Sequence, residues 1–391
     1  MNSNNNTQKS ITHLCLCGPV TDGWNYQDNL LPKYHKKMGL DVTIITSHWI
    51  WGEDGKLTID PREEYNNENG ILVKRLDIAD GRTLADKFKK YENLIDTLEE
   101  CSPDILFIHG CQFVNVPDVV KYIKRRHPVV YVDNHADYSN SATNWLSKNM
   151  LHKIVWRSMA KKLESVTTKF YGVLPARVDF LHDLYGIDRK KIELLVMGVD
   201  DEVAESVSSR DSVATTRQKF GITGDEYLLV SGGKIDRAKY QTLDLMKVVK
   251  QIEGNIKLIV FGSVEEDLKE QFNNLVDGKK IIYAGWLSAY ESNELFAIAD
   301  LVVFPGRHSV FWEQVVGLGI PLMVKRWDGT DHVDVNGNCV FLEKSDEDEM
   351  KDKISLLYKD LKQRKVLKQR AEVAKQNFLY STIAKKSIGQ L

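Results

Sequence analysis

The chain has 391 residues, of which 42% are hydrophobic and 28% are charged, and its formal net charge is −2. This length is enough for two domains with sizeable cores, and the near-zero charge gives no sign of nucleic-acid binding. The apolar runs are strand-sized, so no membrane-spanning helix is expected. Residues 1–10 are polar, lack signal-peptide features and are predicted to be disordered. The five cysteines lack zinc-like spacing, which predicts core thiols, no metal site and a cytoplasmic protein.

Residues 11–200 alternate between strand-like and helix-like patterns, which predicts a first doubly wound α/β domain. Its first strand, residues 11–18, leads into a turn-rich loop, residues 19–28, that lacks the Gly-x-Gly-x-x-Gly fingerprint of a dinucleotide site. Trp24 and Asn25 in this loop either pack the loop onto the domain or line a cleft, where aromatic and amide groups suit a sugar. Both interpretations stay open.

Two later strands are each followed by a histidine. The strand 104–109 ends in His109, and the strand 128–133 is followed by His135 and Asp137. A lone histidine is more often structural, but the carboxyl ends of parallel strands share one sheet edge, where ligands bind. The sequence therefore predicts that both histidines lie at one edge and are candidates for a site.

The segment 149–163 is predicted to be an amphipathic helix. Its apolar stripe consists of Leu151, Ile154, Val155, Met159 and Leu163, and its basic flank of His152, Lys153, Arg157, Lys161 and Lys162. Such a helix either lies on an anionic membrane surface or packs on the sheet with its basic face in solvent. The sequence does not decide between the two.

The polar segment 201–222 has no strong period, which predicts a linker. From residue 223 to residue 375 a second alternation predicts a second doubly wound domain, with a cleft between the two domains. Asp346-Glu-Asp348 directly precedes a predicted helix, so helix capping explains these acidic residues.

The second domain opens with a strand followed by Gly232-Gly-Lys234-Ile-Asp-Arg237-Ala-Lys239. The glycines permit close backbone approach and three cations follow, a combination that suits a diphosphate. The loop is not a Walker motif, because the required spacing and Ser/Thr are absent. A cationic loop is usually a solvated surface, but glycines at the end of a strand favour phosphate binding.

A short strand–helix–strand unit runs from Phe304 to Pro321. The helix is predicted to start near Ser309, a residue type that caps helices, so its free N–H groups lie at a strand end and suit a phosphate. Gly285-Trp286 ends another predicted strand, where a base would lie against the indole. In each case a purely structural role is the alternative.

In their order along the chain, these motifs resemble the retaining, nucleotide-sugar-dependent GT-B glycosyltransferases of group 1, and among them those of bacterial surface-polysaccharide synthesis. The segments that carry the resemblance are 18–29, Gly198-Val-Asp200, Gly232-Gly-Lys234 with Lys239, Phe261-Gly262, Gly285-Trp286, 299–305, Gly319-Ile-Pro321 and 377–384. The resemblance implies an α/β GT-B fold, with two Rossmann-like domains facing a central cleft. It also implies that residues 376–391 form a C-terminal helix that returns to the first domain.

The resemblance also implies roles for individual residues. Lys234 and Lys239 would bind the donor diphosphate and stabilise the leaving nucleoside diphosphate without a metal, and His135 matches a catalytic or acceptor-side histidine. The further donor contacts would be Gly23, Gly233, Arg237, Gly262, Trp286, Leu287, His308, Ser309, Val310 and Gln314. The acceptor side would contain Asp22, Trp24, Asn25, His109 and Asp137.

The family's Glu-x7-Glu motif is not intact in this chain. Gln314 takes the second glutamate position, with Glu313 beside it, and the first position falls in the shortened segment 306–309. Glu313 either substitutes for a missing glutamate as a catalytic residue or faces solvent. His308 is a further candidate for contact with the donor sugar.

The function implied is transfer of a hexose from a nucleotide-diphosphate sugar to a glycan or lipid-linked acceptor, with no cofactor, no metal and no nucleic acid. The location implied is the cytoplasm, with possible peripheral attachment of residues 149–163 to the inner face of the membrane. The alternatives are a GT-B nucleotide-sugar epimerase, a sugar phosphorylase, and a degenerate transferase acting as a carbohydrate-binding or partner subunit. An epimerase would need clustered acid/base carboxylates, a phosphorylase a cofactor lysine or free-phosphate site, and a degenerate protein would bind nucleotide without turnover.

Overall fold

The structure is a computed structural model that describes residues 8–52, 55–78, 88–142, 144–145 and 147–391. The chain divides into two compact units, the first comprising Met1–Val196 with Ile383–Leu391 and the second Met197–Thr382. Of the segment predicted to be disordered, residues 1–7 lie outside the described residues, and Ser10 begins the first strand.

The first unit is built on an eight-stranded sheet. The strands of this unit, all of which except β3 and β4 belong to the sheet, are β1 (Ser10–Cys15), β2 (Asp41–Ser47), β3 (Trp49–Trp51), β4 (Leu57–Ile59), β5 (Glu64–Asn66), β6 (Leu72–Leu76), β7 (Ile105–His109), β8 (Val129–Asn134), β9 (Lys169–Gly172) and β10 (Ile192–Leu194). The order in the sheet is β10-β9-β8-β7-β1-β2-β6-β5. Every pair is parallel except β5 with β6, and β3 and β4 form a separate antiparallel pair.

Helices cover this sheet. They are α1 (Gln27–Lys37), α2 (Leu94–Cys101), α3 (Val116–Arg126), a π-helix (Ser147–Trp156), α4 (Arg157–Glu164) and α5 (Pro175–Asp183). The strands β7 and β8 are almost wholly buried apolar runs, as expected for parallel strands covered on both faces. The direction of strand order reverses between β1 and β7, and in such sheets ligands bind outside the carboxyl ends at this switch point.

The second unit repeats the plan with six parallel strands. They are β11 (Tyr227–Gly232), β12 (Ile256–Phe261), β13 (Ile281–Tyr283), β14 (Leu301–Phe304), β15 (Leu322–Lys325) and β16 (Cys339–Leu342), in the order β13-β12-β11-β14-β15-β16. The helices are α6 (Asp201–Val207), α7 (Arg210–Lys219), α8 (Gln241–Gln251), α9 (Lys269–Leu275), α10 (Ala289–Ala297), α11 (Phe311–Gly317), α12 (Glu347–Lys359) and α13 (Leu361–Ala374). The switch point here lies between β11 and β14. Asp346 accepts a hydrogen bond from the Glu349 N–H at 2.9 Å, which confirms its predicted capping role.

A last helix, α14 (Tyr380–Ser387), runs into the closing segment of the first unit. There the hydroxyls of Tyr131 and Tyr171 donate to backbone carbonyls of Ile388 and Lys386 at 3.0 and 3.1 Å. These bonds tie Ile383–Leu391 to β8 and β9 within the first unit.

The linker predicted for residues 201–222 is wrong. This segment forms α6 and α7 inside the second unit. The Asp200 side chain accepts a bond from the Glu202 N–H, and the Ser209 side chain from the Ser212 N–H. The polar residues therefore cap short helices and cover their exposed faces, which obscures the helical period.

The amphipathic segment 149–163 is helical, but the face predicted for it is partly wrong. His152, predicted on the basic flank, is buried, and its Nδ1 lies 2.8 Å from the Tyr185 hydroxyl. Ile154, predicted in the apolar stripe, is 56% exposed. The π-helical turns up to Trp156 are wider than α-helical ones, so the inward-facing residues differ from those of a 3.6-residue period. No helix of the described residues is long and apolar enough to cross a membrane.

Candidate functional site

One candidate site lies at the carboxyl ends of β11 and β14, in the second unit. Gly233 follows β11 with φ of +102°, and Gly262 follows β12 with φ of +111°. A Cβ atom added to Gly262 would lie 2.0 Å from the Gly233 carbonyl oxygen. Both positions therefore require glycine, and the bare backbone at the strand ends is open to close approach by a ligand.

Lys239 lies directly at this switch point. A Cβ atom added to Gly306, after β14, would lie 3.2 Å from Lys239 Cα and Cγ, and one added to Gly233 would lie 3.7 Å from Lys239 Nζ. The side chain thus extends from one strand end to the other. Burial lowers the pKa of Lys239, and no carboxylate among the described residues lies within 4.0 Å of its Nζ. Lys234, by contrast, is 63% exposed, with Nζ 3.7 Å from Asp236.

Different surroundings are found for four other predicted donor residues, namely Gly262, Trp286, Leu287 and Arg237. Gly262 donates its N–H to Gly285 at 2.7 Å, so Trp286, which is 75% exposed, follows directly at the same edge as Gly262. Leu287 beside it is half-buried. Arg237 points to the surface, where it pairs with Asp267 at 2.8 Å.

The helix α11 begins two residues later than predicted. Its N-cap is Val310, without a side-chain cap bond, and Ser309 Oγ lies 3.5 Å from the Phe311 N–H. The Ser309 hydroxyl does not act as a side-chain cap, because a contact of 3.5 Å is at the limit of a hydrogen bond. Ser309 and Val310 nevertheless lie at the carboxyl edge of β14, as predicted.

Glu313 is completely buried at the start of α11. Its Oε1 accepts hydrogen bonds from Nε2 of His308 and Nε2 of His332, both at 2.8 Å. Burial alone would raise the pKa of this carboxyl, but His308 and His332 lower it to about 2. The alternative in which Glu313 faces solvent is therefore wrong. Glu313 instead orients His308, whose side chain is 17% exposed and can reach a ligand.

Sequence reasoning missed His332 and Trp327. Both lie in the loop after β15, and their position after a strand end is the one signal the sequence offers. Trp327 Nε1 donates to the Gly306 carbonyl at 3.0 Å, which fixes the turn on which Lys239 packs. Gln314, predicted to contact the donor, is 7% exposed, and its Oε1 has no partner among the described residues.

A separate candidate site lies at the switch point of the first unit. His109 and Asp133 are register partners on β7 and β8, and His109 Nδ1 lies 2.9 Å from Asp133 Oδ2 and 3.1 Å from Asp28 Oδ1. His135 Nε2 lies 3.3 Å from the same Asp133 oxygen. This confirms that both histidines lie at one sheet edge. His109 is buried, whereas the side chain of His135 is 38% exposed, so only His135 faces a ligand directly.

The charges of this cluster are set by its contacts. Burial alone would lower the pKa of His109, but its neighbours raise that pKa well above the usual value. Burial raises the pKa of the adjacent Cys15 thiol to about 12, so this thiol is neutral at pH 7. The raised pKa of His109 is therefore due to the carboxylates of Asp133 and Asp28. His109 and His135 in turn overcome burial and hold the pKa of Asp133 far below its usual range.

Asp137, predicted on the acceptor side, is a turn anchor. Its Oδ1 accepts hydrogen bonds from the N–H groups of Ser139 and Asn140 at 2.7 and 3.1 Å, and its Oδ2 pairs with Arg177 Nε at 3.0 Å. Asp137 is 6% exposed. Its oxygens are therefore engaged within the unit, and the acceptor contact of Asp137 stays a prediction.

The loop after β1 is held by polar contacts. Asp22 pairs with Arg62 at 2.9 Å, and the Gly23 N–H donates to Glu68 at 3.1 Å. Trp24 is half-buried against the ring of Tyr26, and Asn25 is also half-buried. Packing and ligand contact both stay open for Trp24 and Asn25.

Three clusters of the described residues bring three potential metal ligands within 4.8 Å of one another. Two of them include His109, whose ring nitrogens are both engaged, Nδ1 by Asp133 and Nε2 by His13 at 2.9 Å, so no ligand set forms there. The third is His308, Glu313 and His332. His332 Nδ1 has no partner among the described residues, whereas a metal-bound histidine usually anchors its second nitrogen. Metal independence stays a prediction.

Part of the second unit is similar in sequence to a known protein family. Residues 212–374, within the second unit, match the family model of glycosyl transferases group 1. Mannosylfructose-phosphate synthase of Agrobacterium fabrum is 25% identical over 147 residues. That match covers 35% of this chain and spans only about a third, 32%, of the relative's length.

Solved structures match nearly the whole chain. A glycosyltransferase from Rickettsia africae superposes with a TM-score of 0.70 at 15% identity, covering 97% of this chain and 96% of that one. Anabaena HepE in complex with UDP gives 0.66 at 13%, covering 96% and 98%. Sucrose-phosphate synthase of Thermosynechococcus elongatus gives 0.64 at 14%, covering 97% of each chain.

The protein thus has the GT-B fold of two Rossmann-like α/β units. Within the second of these units, residues 212–374 are similar to the family model of glycosyl transferases group 1.

Proposed function

We propose that the protein transfers a hexose from a nucleoside-diphosphate sugar to a glycan or lipid-linked acceptor, with retention at the anomeric carbon and without a metal ion. The observation that carries the proposal is Lys239, a half-buried cation without a close carboxylate, placed over the glycine backbone at the switch point of a group 1 glycosyltransferase domain. A buried cation of this kind is an electrostatic partner for a diphosphate.

In this proposal each group has a chemical task. Lys239 and Lys234 stabilise the charge that develops on the leaving nucleoside diphosphate. A donor phosphate oxygen takes the acceptor proton on the same face, so no strong protein base is required. His308, oriented by Glu313, contacts the donor sugar, and His135, oriented by Asp133, contacts the acceptor hydroxyl.

The donor and the acceptor are the finer parts of the proposal. HepE structures contain UDP and UDP-glucose, so a uridine donor is tested first. We infer an acceptor of bacterial surface-polysaccharide synthesis. The relative named for mannosylfructose phosphate favours a phosphorylated sugar as the second candidate acceptor.

The test is a thermal-shift screen against UDP, GDP, ADP, CMP and TDP. One diphosphate at a hundred times its dissociation constant is expected to stabilise the protein by about 2.7 kcal/mol, a rise in melting temperature of roughly 5 to 10 °C for a unit of this size. The shift should shrink in Lys239→Ala and in Lys234→Ala. Lys351→Ala is the matched control, because Lys351 on α12 bonds Gln251 at the end of α8, away from the carboxyl ends of the strands.

If no nucleotide shifts the folded protein, the donor site is wrong. If a nucleotide binds but its sugars are neither transferred nor hydrolysed, the protein is a binding or partner subunit. If a nucleotide sugar is converted to its epimer without any acceptor, the epimerase alternative is correct.

We also propose that residues 149–163 attach the protein to an anionic membrane surface. Met150 and Ile154 are 49% and 56% exposed on this segment, and Lys153 and Arg157 are exposed beside them. Apolar side chains next to cations suit an anionic bilayer. Co-sedimentation with liposomes containing anionic lipid is expected, and it should fall at least about tenfold on replacing Lys153, Arg157, Lys161 and Lys162 by alanine, since each cation near the surface contributes about 1 kcal/mol. If the intact protein does not co-sediment with these liposomes, the membrane attachment is ruled out.

A further inference from the structure

Three buried histidines form a continuous row behind the cluster of the first unit. His109 Nε2 lies 2.9 Å from His13 Nδ1, and His13 Nε2 lies 2.9 Å from His35 Nδ1. Neighbouring rings stack at 5.2 and 5.0 Å. The row therefore runs from the end of β7 through β1 into α1, and none of its members is more than 3% exposed.

Both ends of the row face hydrogen-bond acceptors. At one end, His109 Nδ1 faces the carboxylates of Asp133 and Asp28. At the other end, His35 Nε2 lies 3.1 Å from the Ala384 carbonyl oxygen. Ser387 Oγ lies 3.0 Å from the same nitrogen and donates its own proton to the Ala384 carbonyl at 2.8 Å.

Counting protons along the row gives its charge. There are four contacts, namely carboxylate to His109, His109 to His13, His13 to His35, and His35 to carbonyl, and each needs one proton between its two atoms. Three neutral imidazoles carry only three protons. A bare Nε2 on His35 would place a lone pair against the Ala384 oxygen, whereas a fourth proton on that nitrogen supplies the donor for this contact.

We infer that the row holds four protons and is a cation with its charge on His109, and that this cation is the positioning unit for Asp133 and, through it, for His135. The groups that face His109 from each packed element are His13 and Cys15 on β1, Asp28 on α1 and Asp133 on β8. The carboxylates place the charge on His109, whereas burial keeps His13 and His35 neutral by lowering their pKa values.

The cation explains how the carboxylate of Asp133 remains ionised although it is buried. Asp133 Oδ2 also accepts from Gln27 Nε2 at 2.9 Å, and its ionised state requires His135 to donate from Nε2. His135 Nδ1 is then left as the acceptor on the exposed side of the ring. This effect on the acceptor rests on the proposed function, whereas the protonation of the row does not.

The direct test is a long-range ¹H–¹⁵N spectrum of the full chain labelled at histidine nitrogen, recorded at pH 7.5. We expect two protonated nitrogens in His109, and one bare Nδ1 with a protonated Nε2 in His13 and in His35. Bare Nε2 atoms in all three rings would mean that Ser387 donates into a neutral row, and would overturn the inference. Ser387→Ala distinguishes the two cases, because it removes the donor that only the neutral row needs and should leave the charged pattern unchanged.

A matched pair of substitutions tests the positioning role. In His13→Gln the amide oxygen accepts from His109 and the amide nitrogen donates to His35, so the imidazolium signal should persist. His13→Leu supplies neither contact, so His109 should lose its second proton at pH 7.5. If the protein is a transferase, kcat should fall about tenfold in His13→Leu, with the KM for the donor unchanged and recovery in His13→Gln.

The spectra test the charge of the row, and the kinetics test its positioning role separately. Absence of turnover in the parent protein would count against the proposed function and leave the spectra to decide the charge of the row. The positioning role would be overturned if folded His13→Leu loses the charge of the row while kcat and its pH profile stay unchanged.

Discussion

Replacing Lys239 by alanine is expected to lower the rate of nucleoside-diphosphate release from the donor sugar by about 10²- to 10³-fold. The expectation follows from the position of its Nζ, which lies 3.7 Å from where a Cβ of Gly233 would be, over a strand end where the backbone carries no side chain. Burial lowers the pKa of this ammonium, because the charge is held out of water. A diphosphate would restore a counter-charge, and its charge grows as the sugar bond breaks.

The measurement is kcat with the sugar of whichever nucleotide gives the thermal shift. Lys239→Arg should retain more activity than Lys239→Ala because it keeps the charge, although its planar group does not reproduce the geometry of an ammonium. Arg237→Ala is the internal comparison, since Arg237 is exposed and already paired with Asp267. Its loss should change kcat less than tenfold. An equal loss of kcat in Lys239→Ala and Arg237→Ala would mean that the activity depends on the total positive charge of the loop. The position of Lys239 at the switch point would then not matter.

The alternating sequence pattern predicted the two sheets, because buried parallel strands are near-continuous apolar runs separated by helical periods. The same rule predicted the common edge of His109 and His135, since parallel strands end together. It did not predict Asp133 as the residue that joins them, because an aspartate at the end of a strand has the same local pattern whether or not a histidine lies opposite.

The histidine row shows why other parts of a site cannot be predicted from sequence. His13 lies within an apolar strand and His35 within a helix, and neither position has a local signal of function. His35 and its partner Ser387 are separated by 352 positions in the chain. Their contact is set by the packing of the last helix onto the first unit, which no local periodicity contains.

Glu313 shows the same limit at the candidate site of the second unit. From the sequence it is a displaced motif residue, either functional or solvent-facing. Its burial depends on His332, which approaches from a loop after β15, 19 positions later in the chain. The error for residues 201–222 has the opposite origin, because local polarity obscured helices that are stabilised by capping and by the burial of Ala204 and Val207.

Replacing Glu313 by glutamine is expected to lower the free energy of unfolding at pH 7 by about 3 kcal/mol, the equivalent of a pKa displaced by about two units and a half. Although burial opposes its ionisation, the folded protein lowers the pKa of Glu313 from its usual 4.5 to about 2 because His308 and His332 donate to it. A carboxyl with a lowered pKa stabilises the fold above its unfolded pKa and loses that contribution as pH falls. The difference in the free energy of unfolding between parent and variant should therefore have its maximum value above pH 5 and should disappear as the pH falls from about 4.5 to 2.

Calorimetry of both proteins between pH 7 and pH 3 measures this difference. A gap of roughly 10 °C in melting temperature at pH 7 should close as the medium is acidified, because protonated Glu313 and glutamine are electrostatically alike. The control is Glu372→Gln, since Glu372 is 54% exposed and lies 3.7 Å from Lys368, and an exposed pair of this kind contributes about 0.5 kcal/mol or less. A gap for Glu313→Gln that stays constant with pH would show that its carboxyl is already neutral in the folded protein. His308 would then be held by shape alone, and the charge assigned to Glu313 would be wrong.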